Sequence, residues 1–391
     1  MKPSIIEINN QVEEIYQQVV DFRRKIHQNP ELSNKEFATT EFIISILKEN
    51  NIEYKRITET GVVGVIGYGK NCLALRADID ALPIKEETDV PFASQNHGIM
   101  HACGHDLHTA MLLGSAIILK KFENHLNGTI KLIFQPSEES IPGGALKMIK
   151  AGVLDNPRPK FILGQHIYPE LNTGEIAVSA GPVMAAADEL YWNLYGKGSH
   201  AAQPHMGNDP LVVAAHLIIH LQTMLNKNKN PFSPAVLSVT SVIGGKATNV
   251  FPDFVSMQGT LRTFDAELRS KLHKLIEHNS RQLSSLFDVK CNVEIRKGFP
   301  ALINDAELAE KFKTITVSLL GNDKVHNFEP KMWAEDFAYF AREVPSVFWL
   351  LGVKNALDNE IIPLHNSKLN PDELAMKTGV LTMVNAAIEL L

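Results

Sequence analysis

Cys103 and His105 stand two residues apart in MHACGHDLHTA, residues 100–110, just ahead of an apolar run. In an extended or loop segment, side chains at i and i+2 point the same way, so both can face one ion. Thiolate and imidazole suit zinc and its transition-metal neighbours. Alone, the pair also reads as a buried free cysteine beside surface histidines, since cysteine is often simply core. Any further ligands must come from distant parts of the chain.

IFQPSEES (133–140) is one such part. A strand runs out at Gln135, Pro136 blocks its continuation, and Glu138 and Glu139 follow side by side. Adjacent carboxylates diverge, so one can bind a metal while the other reaches a water bound to it. Two carboxylates packed together without a cation would repel, and one would have to protonate. Taken by itself the motif also fits a solvated acidic turn. LGQHIYPE places His166 at the end of an apolar strand, and LRADIDALP delivers Asp78 and Asp80 two apart and same-facing. IIPLHNS puts His365 in a loop after Pro363. In open α/β sheets, sites gather beyond the carboxyl ends of strands. Four segments that each place Cys, His, Asp or Glu there are hard to assign to chance.

The elements that must carry these residues can be read from patterning. Val12, Ile15, Val19, Phe22 and Ile26 recur at helical spacing, which predicts an N-terminal amphipathic helix. Segments 61–69, 71–78, 128–135 and 161–167 read as strands, with helices over about 107–122 and 144–151. That order suggests an α/β sheet covered by helices. From about residue 183 the pattern changes. ELYWNLYGKGSHA (189–201) reads as a strand, 209–225 as a helix, and 235–245 and 254–262 as strands. A charged helix (266–286) and a strand (289–296) follow, giving two βαβ-like halves of a self-contained α+β unit. RKGFPALIND reads as its exit linker, and the C-terminal stretch returns to helix, strand (SVFWLLG) and helix. The expectation is an α/β catalytic domain with a mixed sheet flanked by helices, formed from 1–182 and 299–391 around an inserted α+β domain, 183–298.

The chain has 391 residues, 45% of them apolar and 21% charged, which supports a large core rather than disorder. A net charge of −6 with no like-charge block gives no footprint for nucleic acid or an anionic membrane surface. The N-terminus lacks a signal-peptide apolar stretch, and the longest near-apolar run, 110–119, is too short to span a bilayer. Three cysteines without a C-x-x-C pair argue against a disulfide framework and for a cytoplasmic protein. GKGSHA lacks the third glycine of a dinucleotide fingerprint, and no P-loop, G-x-S-x-G or H-E-x-x-H occurs.

Together, RRKIHQNPELSNKEFAT, LRADIDALPIKEET, MHACGHD, QPSEE, GQHIYP, GKGSHAAQPHMGNDP, GGKATNVFPD, GTLRTFD, AEDFAYF and PLHNSKL span nearly the whole chain. In them the sequence resembles the amidohydrolase branch of the dinuclear metallopeptidases, which includes hippurate hydrolase, aminoacylases, auxin-conjugate hydrolases and related carboxypeptidases. The resemblance implies two divalent ions per subunit, zinc or manganese first, with cobalt or nickel also tolerated, and a lid domain that makes a homodimer. It implies that Cys103 bridges the ions, that His105 and His166 complete one site, and that Glu139 and His365 complete the other. Glu138 would be the general base and Asp80 would orient the metal site. The wider superfamily has His-x-Asp where this chain has Asp78-Ile79-Asp80, which leaves Asp78 without an assigned role. His101 and His108 read as supporting or surface residues.

Amide hydrolysis needs a nucleophile at neutral pH, a stabilised oxyanion and a proton for the leaving amine. Two ions roughly 3.5–4 Å apart can supply the first two, and Glu138 can carry the proton. In the lid, His200 can donate to the oxyanion, and the resemblance implies that it comes from the partner subunit. Asn249 can bind the same oxygen or a substrate carboxylate. Arg262 can clamp that carboxylate through its planar fork. In turn, His200 also reads as a turn histidine, Asn249 as a turn cap, and Arg262 as a sheet-surface residue. The expected activity is hydrolysis of N-acyl amino acids, with a metallo-carboxypeptidase or dipeptidase on short peptides as the alternative. A non-catalytic metal-binding protein of the same fold is the reading from another class.

Overall fold

The computed structural model describes residues 2–355 and 360–391. The chain divides into two units. One comprises the chain up to Val183, Ile303–Glu329 and Asp336–Leu391; the other comprises Met184–Leu302 and Pro330–Glu335.

The first unit is built on an eight-stranded sheet. Its order is Glu53–Arg56, Val62–Gly67, Thr129–Gln135, Cys72–Asp78, Phe161–Asn172, Ser346–Lys354, Ile176–Ala177 and Val325–His326. Cys72–Asp78 pairs parallel with both neighbours, and Phe161–Asn172 pairs parallel with Ser346–Lys354. Val62–Gly67 is antiparallel to Thr129–Gln135. The sheet is therefore mixed, as the sequence predicts. The central strands Cys72–Asp78 and Thr129–Gln135 are buried at every residue, the mark of strands covered on both faces.

The N-terminal helix runs Ile5–Gln28 and opens with a reciprocal Ser4–Glu7 capping box. Its stripe Ile8, Val12, Ile15 and Val19 packs into the same core as the helix His105–Lys121. That second helix is buried from His105 through Leu119 and so lies inside the unit rather than on it. No helix of the described residues is long and apolar enough to cross a membrane.

The second unit has a four-stranded antiparallel sheet in the order Ala235–Gly244, Phe254–Thr263, Ala186–Tyr195, Lys290–Lys297. The helices Pro210–Asn228 and Ala266–Ser285 pack their buried Leu217, Leu221, Leu272 and Ile276 into a core with Leu190, Trp192 and Met257. The strand expected to run through His200 instead ends at Tyr195. A Cβ on Gly196 would lie 2.2 Å from the carbonyl oxygen of Asn208, so close backbone approach breaks the strand there. Ser199–His200 restarts as a separate ribbon against Val250–Phe251.

Candidate metal centre

The putting together of the donors begins at Gly104, whose φ of +83° belongs to the left-handed region. A Cβ there would meet Ile167 Cδ1 at 2.2 Å. Cys103 and His105 are thus not a pair on extended chain: a glycine turn separates them, and His105 is the first residue of its helix. Cys103 Sγ lies 3.5 Å from His166 Nε2 and 3.3 Å from His365 Nε2. His365 Nε2 is 3.3 Å from Glu139 Oε1. Two donor sets result, Cys103/His105/His166 and Cys103/Glu139/His365, each with its ligand atoms within 4.8 Å of one another and sharing the one sulfur. His105, Glu138 and Glu139 form a third such set.

Hydrogen bonds aim these donors. His166 Nδ1 donates to the carbonyl of Ile167 at 2.7 Å, and His105 Nδ1 to that of Asp80 at 2.9 Å. Each ring then turns an Nε2 toward the cluster, the arrangement usual for metal-ligating histidines. Asp80 accepts from the backbone N–H groups of Glu138 and Glu139, both at 3.0 Å, and from Ser33 Oγ at 2.6 Å. It therefore pins the turn that carries both glutamates. Ser137, at the head of that turn, holds φ +58° and donates its N–H to buried Glu36 at 2.8 Å.

The electrostatics call for a cation. Burial, reinforced by the charges of Glu139, Glu138 and Asp78, pushes the Cys103 thiol well above its ordinary pKa. Burial opposes a charge on His105, yet Asp78 and Asp80 raise its pKa to about 10. The carboxylates that draw a proton to His105 would equally draw a metal ion. Burial, with His108 nearby, keeps His166 neutral by lowering its pKa well below the usual value. Burial likewise opposes the charge of Asp80, but hydrogen bonds from His105 and Ser33 hold its pKa below the ordinary carboxylate value. His105 Nε2 and Glu139 Oε1 are buried without a hydrogen-bond partner, their nearest ion-pair partners being Asp78 at 3.7 Å and His365 at 3.3 Å, so a cation between these groups would satisfy both. One sulfur, three imidazole nitrogens and a carboxylate are donors that zinc and its neighbours accept. The set is graded in depth: His105 and His166 are buried, whereas the His365 side chain is 52% exposed. An edge open to solvent is the property of a catalytic rather than a closed structural site.

His101 and His108, read partly as surface residues, are both buried. His108 donates to Asp78 at 2.6 Å and accepts the N–H of Ile167 at 2.9 Å, so it braces the stretch of strand that bears His166. That strand does not end near His166, as its apolar run predicts, but continues to Asn172 in its pairing with Ser346–Lys354. His101 finds no partner for either ring nitrogen, and burial lowers its pKa to about 4. Asp78, without a role from sequence, pairs with Arg76 at 2.7 Å. Sequence reasoning missed Ser33 and Glu36, although both lie in ELSNKEF, a polar stretch among helical patterns that offered the signal.

In the second unit the Ser199–His200 ribbon brings His200 beside Asn249, whose carbonyl accepts the N–H of Ala201 at 2.9 Å. Both side chains lie on exposed residues. Arg262 sits on the main sheet of that unit opposite Val236 and Ala187.

A mixed α/β sheet beside which thiol, imidazole and carboxylate donors gather, one edge open to water, is the frame of a metal-dependent hydrolase. The chain belongs to peptidase family M20/M25/M40, whose sequence model matches residues 74–388, and within it to the amidohydrolase branch. It is 40% identical to an N-acetyl-L-cysteine deacetylase of Bacillus subtilis over 96% of this chain and 88% of the relative. It is 36% identical to thermostable carboxypeptidase 2 of Saccharolobus solfataricus over 98% of each. Among solved structures it resembles the YXEP protein of Bacillus subtilis, described as a dinuclear metal binding peptidase, with a TM-score of 0.83 and 33% identity. That likeness covers 97% of this chain and 99% of the other.

Proposed function

We propose that this protein hydrolyses the amide bond of N-acyl amino acids, releasing a carboxylic acid and a free amino acid. Two divalent ions would be held, one by Cys103, His105 and His166, the other by Cys103, Glu139 and His365. The observation that carries this reading is the sharing of Cys103 Sγ between two donor sets. When bound, such ions lower the pKa of a water and polarise the scissile carbonyl. Glu138, on the turn held by Asp80, takes the proton of the attacking water on its carboxylate and returns it to the leaving nitrogen. His200 donates to the developing oxyanion, with Asn249 beside it on the ribbon. Arg262 has no hydrogen-bond partner among the described residues, and its guanidinium is suited to the α-carboxylate of the substrate. The inserted domain, 183–298, would act as the lid and join two copies, and His200 would serve the partner's site.

The name of the Saccharolobus relative favours a second reading, a carboxypeptidase acting on short peptides. Both reactions need a free α-carboxylate next to the scissile amide; they differ in whether the pocket accepts an acyl or an aminoacyl group. The test is elemental analysis of purified protein coupled to assays on N-acetyl-methionine, hippurate and a dipeptide panel. A clear preference for the first two supports the amidohydrolase reading and preference for dipeptides the second. Equal rates on all, or no metal bound after supplementation with zinc, manganese, cobalt or nickel, defeats both.

A further inference from the structure

The motif AEDFAYF, residues 334–340, lies outside the two donor sets that share Cys103, although its Glu335 and Asp336 come together with Glu138, and Asp336 is wholly buried. Buried carboxylates persist only where they are paired and hydrogen-bonded, and Arg76, Gln135 and Ala145, three partners of Asp336, lead toward the centre. Its Oδ1 accepts from Arg76 Nη2 at 3.0 Å and from Gln135 Nε2 at 2.8 Å. Its Oδ2 accepts the backbone N–H of Ala145 at 2.9 Å. Gly143 permits this approach, since a Cβ there would stand 2.4 Å from Asp336 Oδ2.

Arg76 is the fork between two carboxylates. Its Nη1 holds Asp78 at 2.7 Å while Nη2 holds Asp336, and its Nε donates to Gln135 Oε1 at 2.8 Å. Asp78 continues the line to His108, and His108 to the N–H of Ile167, next to His166. The other branch ends at Ala145, where the segment that leaves Pro136 and carries Glu138 and Glu139 re-enters a helix, Gly144–Lys150. One buried frame therefore ties the glutamate turn to the stretch of strand around His166, and Asp336 is where the two branches meet.

We infer that Asp336 is a positioning residue for the reaction: through Arg76 and Ala145 it fixes the glutamate turn against the stretch of strand that bears His166. The inference rests on the metal-site reading above. Without the Asp336 charge, Arg76 loses one of the two carboxylates it bridges, and an asparagine there would keep only one oxygen where two now accept from Arg76, Gln135 and Ala145. Displacements on the order of 1 Å at reacting groups can cost 10²-fold in rate.

The test compares wild type and Asp336→Asn for metal content, for metal retention against a chelator, and for kcat and KM on the preferred substrate of the panel. The expected result is a fall in kcat of about 10–100-fold and metal lost at about 10-fold lower chelator. KM should stay within about twofold, because the substrate-carboxylate contacts proposed above do not run through Asp336. A role in stability alone would lower the melting temperature and leave kcat per metal-loaded site unchanged; that result, with wild-type chelator resistance, overturns the inference. Should Asp336→Asn fail to fold, Gln135→Met is read instead. It keeps the charges of Arg76, Asp78 and Asp336 and removes the amide between them. A loss of about 3–10-fold in kcat with metal content intact supports the inference, and wild-type kcat overturns it. A wild-type protein that never binds metal overturns both this inference and the reading beneath it, an outcome distinct from a metal-activated wild type matched by Asp336→Asn.

Discussion

His105 and Asp106 are neighbours at the start of one helix, yet they belong to different buried clusters. Asp106 accepts from Arg23 Nε at 3.1 Å and from His27 at 2.9 Å. His27 reaches on to Glu86, and Arg23 and Arg24 both reach Glu373. Three carboxylates there face two arginines and an imidazole whose pKa is raised to about 9, because Asp106 and Glu86 outweigh the burial that opposes its charge. That cluster supplies its own cations. None of the five donors Cys103, His105, His166, Glu139 and His365 pairs with a lysine or arginine among the described residues. Histidine and carboxylate thus join arginine in a self-compensated ion network on one side, and join a cysteine without any arginine or lysine in a ligand set on the other. Burial of polar groups does not mark a site; burial without internal compensation does.

The most severe way to break this contrast is to remove the atom common to both donor sets. Cys103→Ala should abolish measurable hydrolysis and strip metal from both positions, read by elemental analysis beside the activity assay. Retention of one full equivalent of metal would show that the sulfur is not shared. Glu138→Gln should come next, with kcat falling by about 10²–10⁴-fold while metal content stays at the wild-type level. Full turnover by the metal-loaded variant would take the proton-carrying role away from Glu138.

How far this contrast was legible in the sequence depends on the reach of each signal. The strand ends at Asp78 and Gln135 follow from runs of apolar residues that stop at polar ones, and that patterning is local. The strand through His166 outruns its apolar stretch to Asn172 because it stays paired with Ser346–Lys354. The donors in MHACGHD, QPSEE, GQHIYP and PLHNSKL could be named because each is a short motif, and the structure brings them together. The spacing of Cys103 and His105 reads as an extended or loop segment, whereas they lie on a turn. That Gly104 cannot carry a side chain there was not legible, since Ile167, which a Cβ would meet, is distant in sequence. The Arg23–Asp106 network was invisible for the same reason: 83 residues separate its partners, and nothing in RRKIH or GHD alone says that they meet. Gly196, which ends the strand before His200, is likewise decided by Asn208 across a turn.

The compensated cluster offers a break of its own, on stability rather than turnover. The folded-state pKa of His27, about 9, lies above its ordinary value of 6.5, so its stabilisation is complete below pH 6.5 and is lost as pH rises through 9. Asp106 is shifted the other way, against burial, by His27 and Arg23, so its contribution is present above its ordinary pKa of 3.8 and fades on acidification. Urea unfolding should therefore show stability falling between pH 6.5 and 9.5, by about 3 kcal/mol at most from this histidine. His27→Gln should flatten that slope. An unchanged slope in the variant would mean that other groups set the alkaline limit.

Arg262 sharpens the comparison with the smallest expected effect. Arg23 finds its carboxylates within the chain, whereas Arg262, half-buried, has none hydrogen-bonded to it among the described residues. Burial lowers its pKa, with Asp188 and Glu189 partly opposing, yet Asp188 is already engaged by Arg269 at 2.6 Å and His273 at 2.6 Å. A guanidinium left open beside a carboxylate that is taken by others is available to a carboxylate brought from outside. Lysine keeps the charge but loses the two-pronged geometry, so Arg262→Lys should raise KM for an N-acyl amino acid about 10-fold, or about 1.4 kcal/mol. Its kcat should change little, and its KM for the corresponding N-acyl amino acid amide, which lacks the α-carboxylate, should match that of the wild type. Equal KM values for wild type and variant on the carboxylate substrate would return Arg262 to an ordinary sheet residue and leave the clamp to be sought at Asn249.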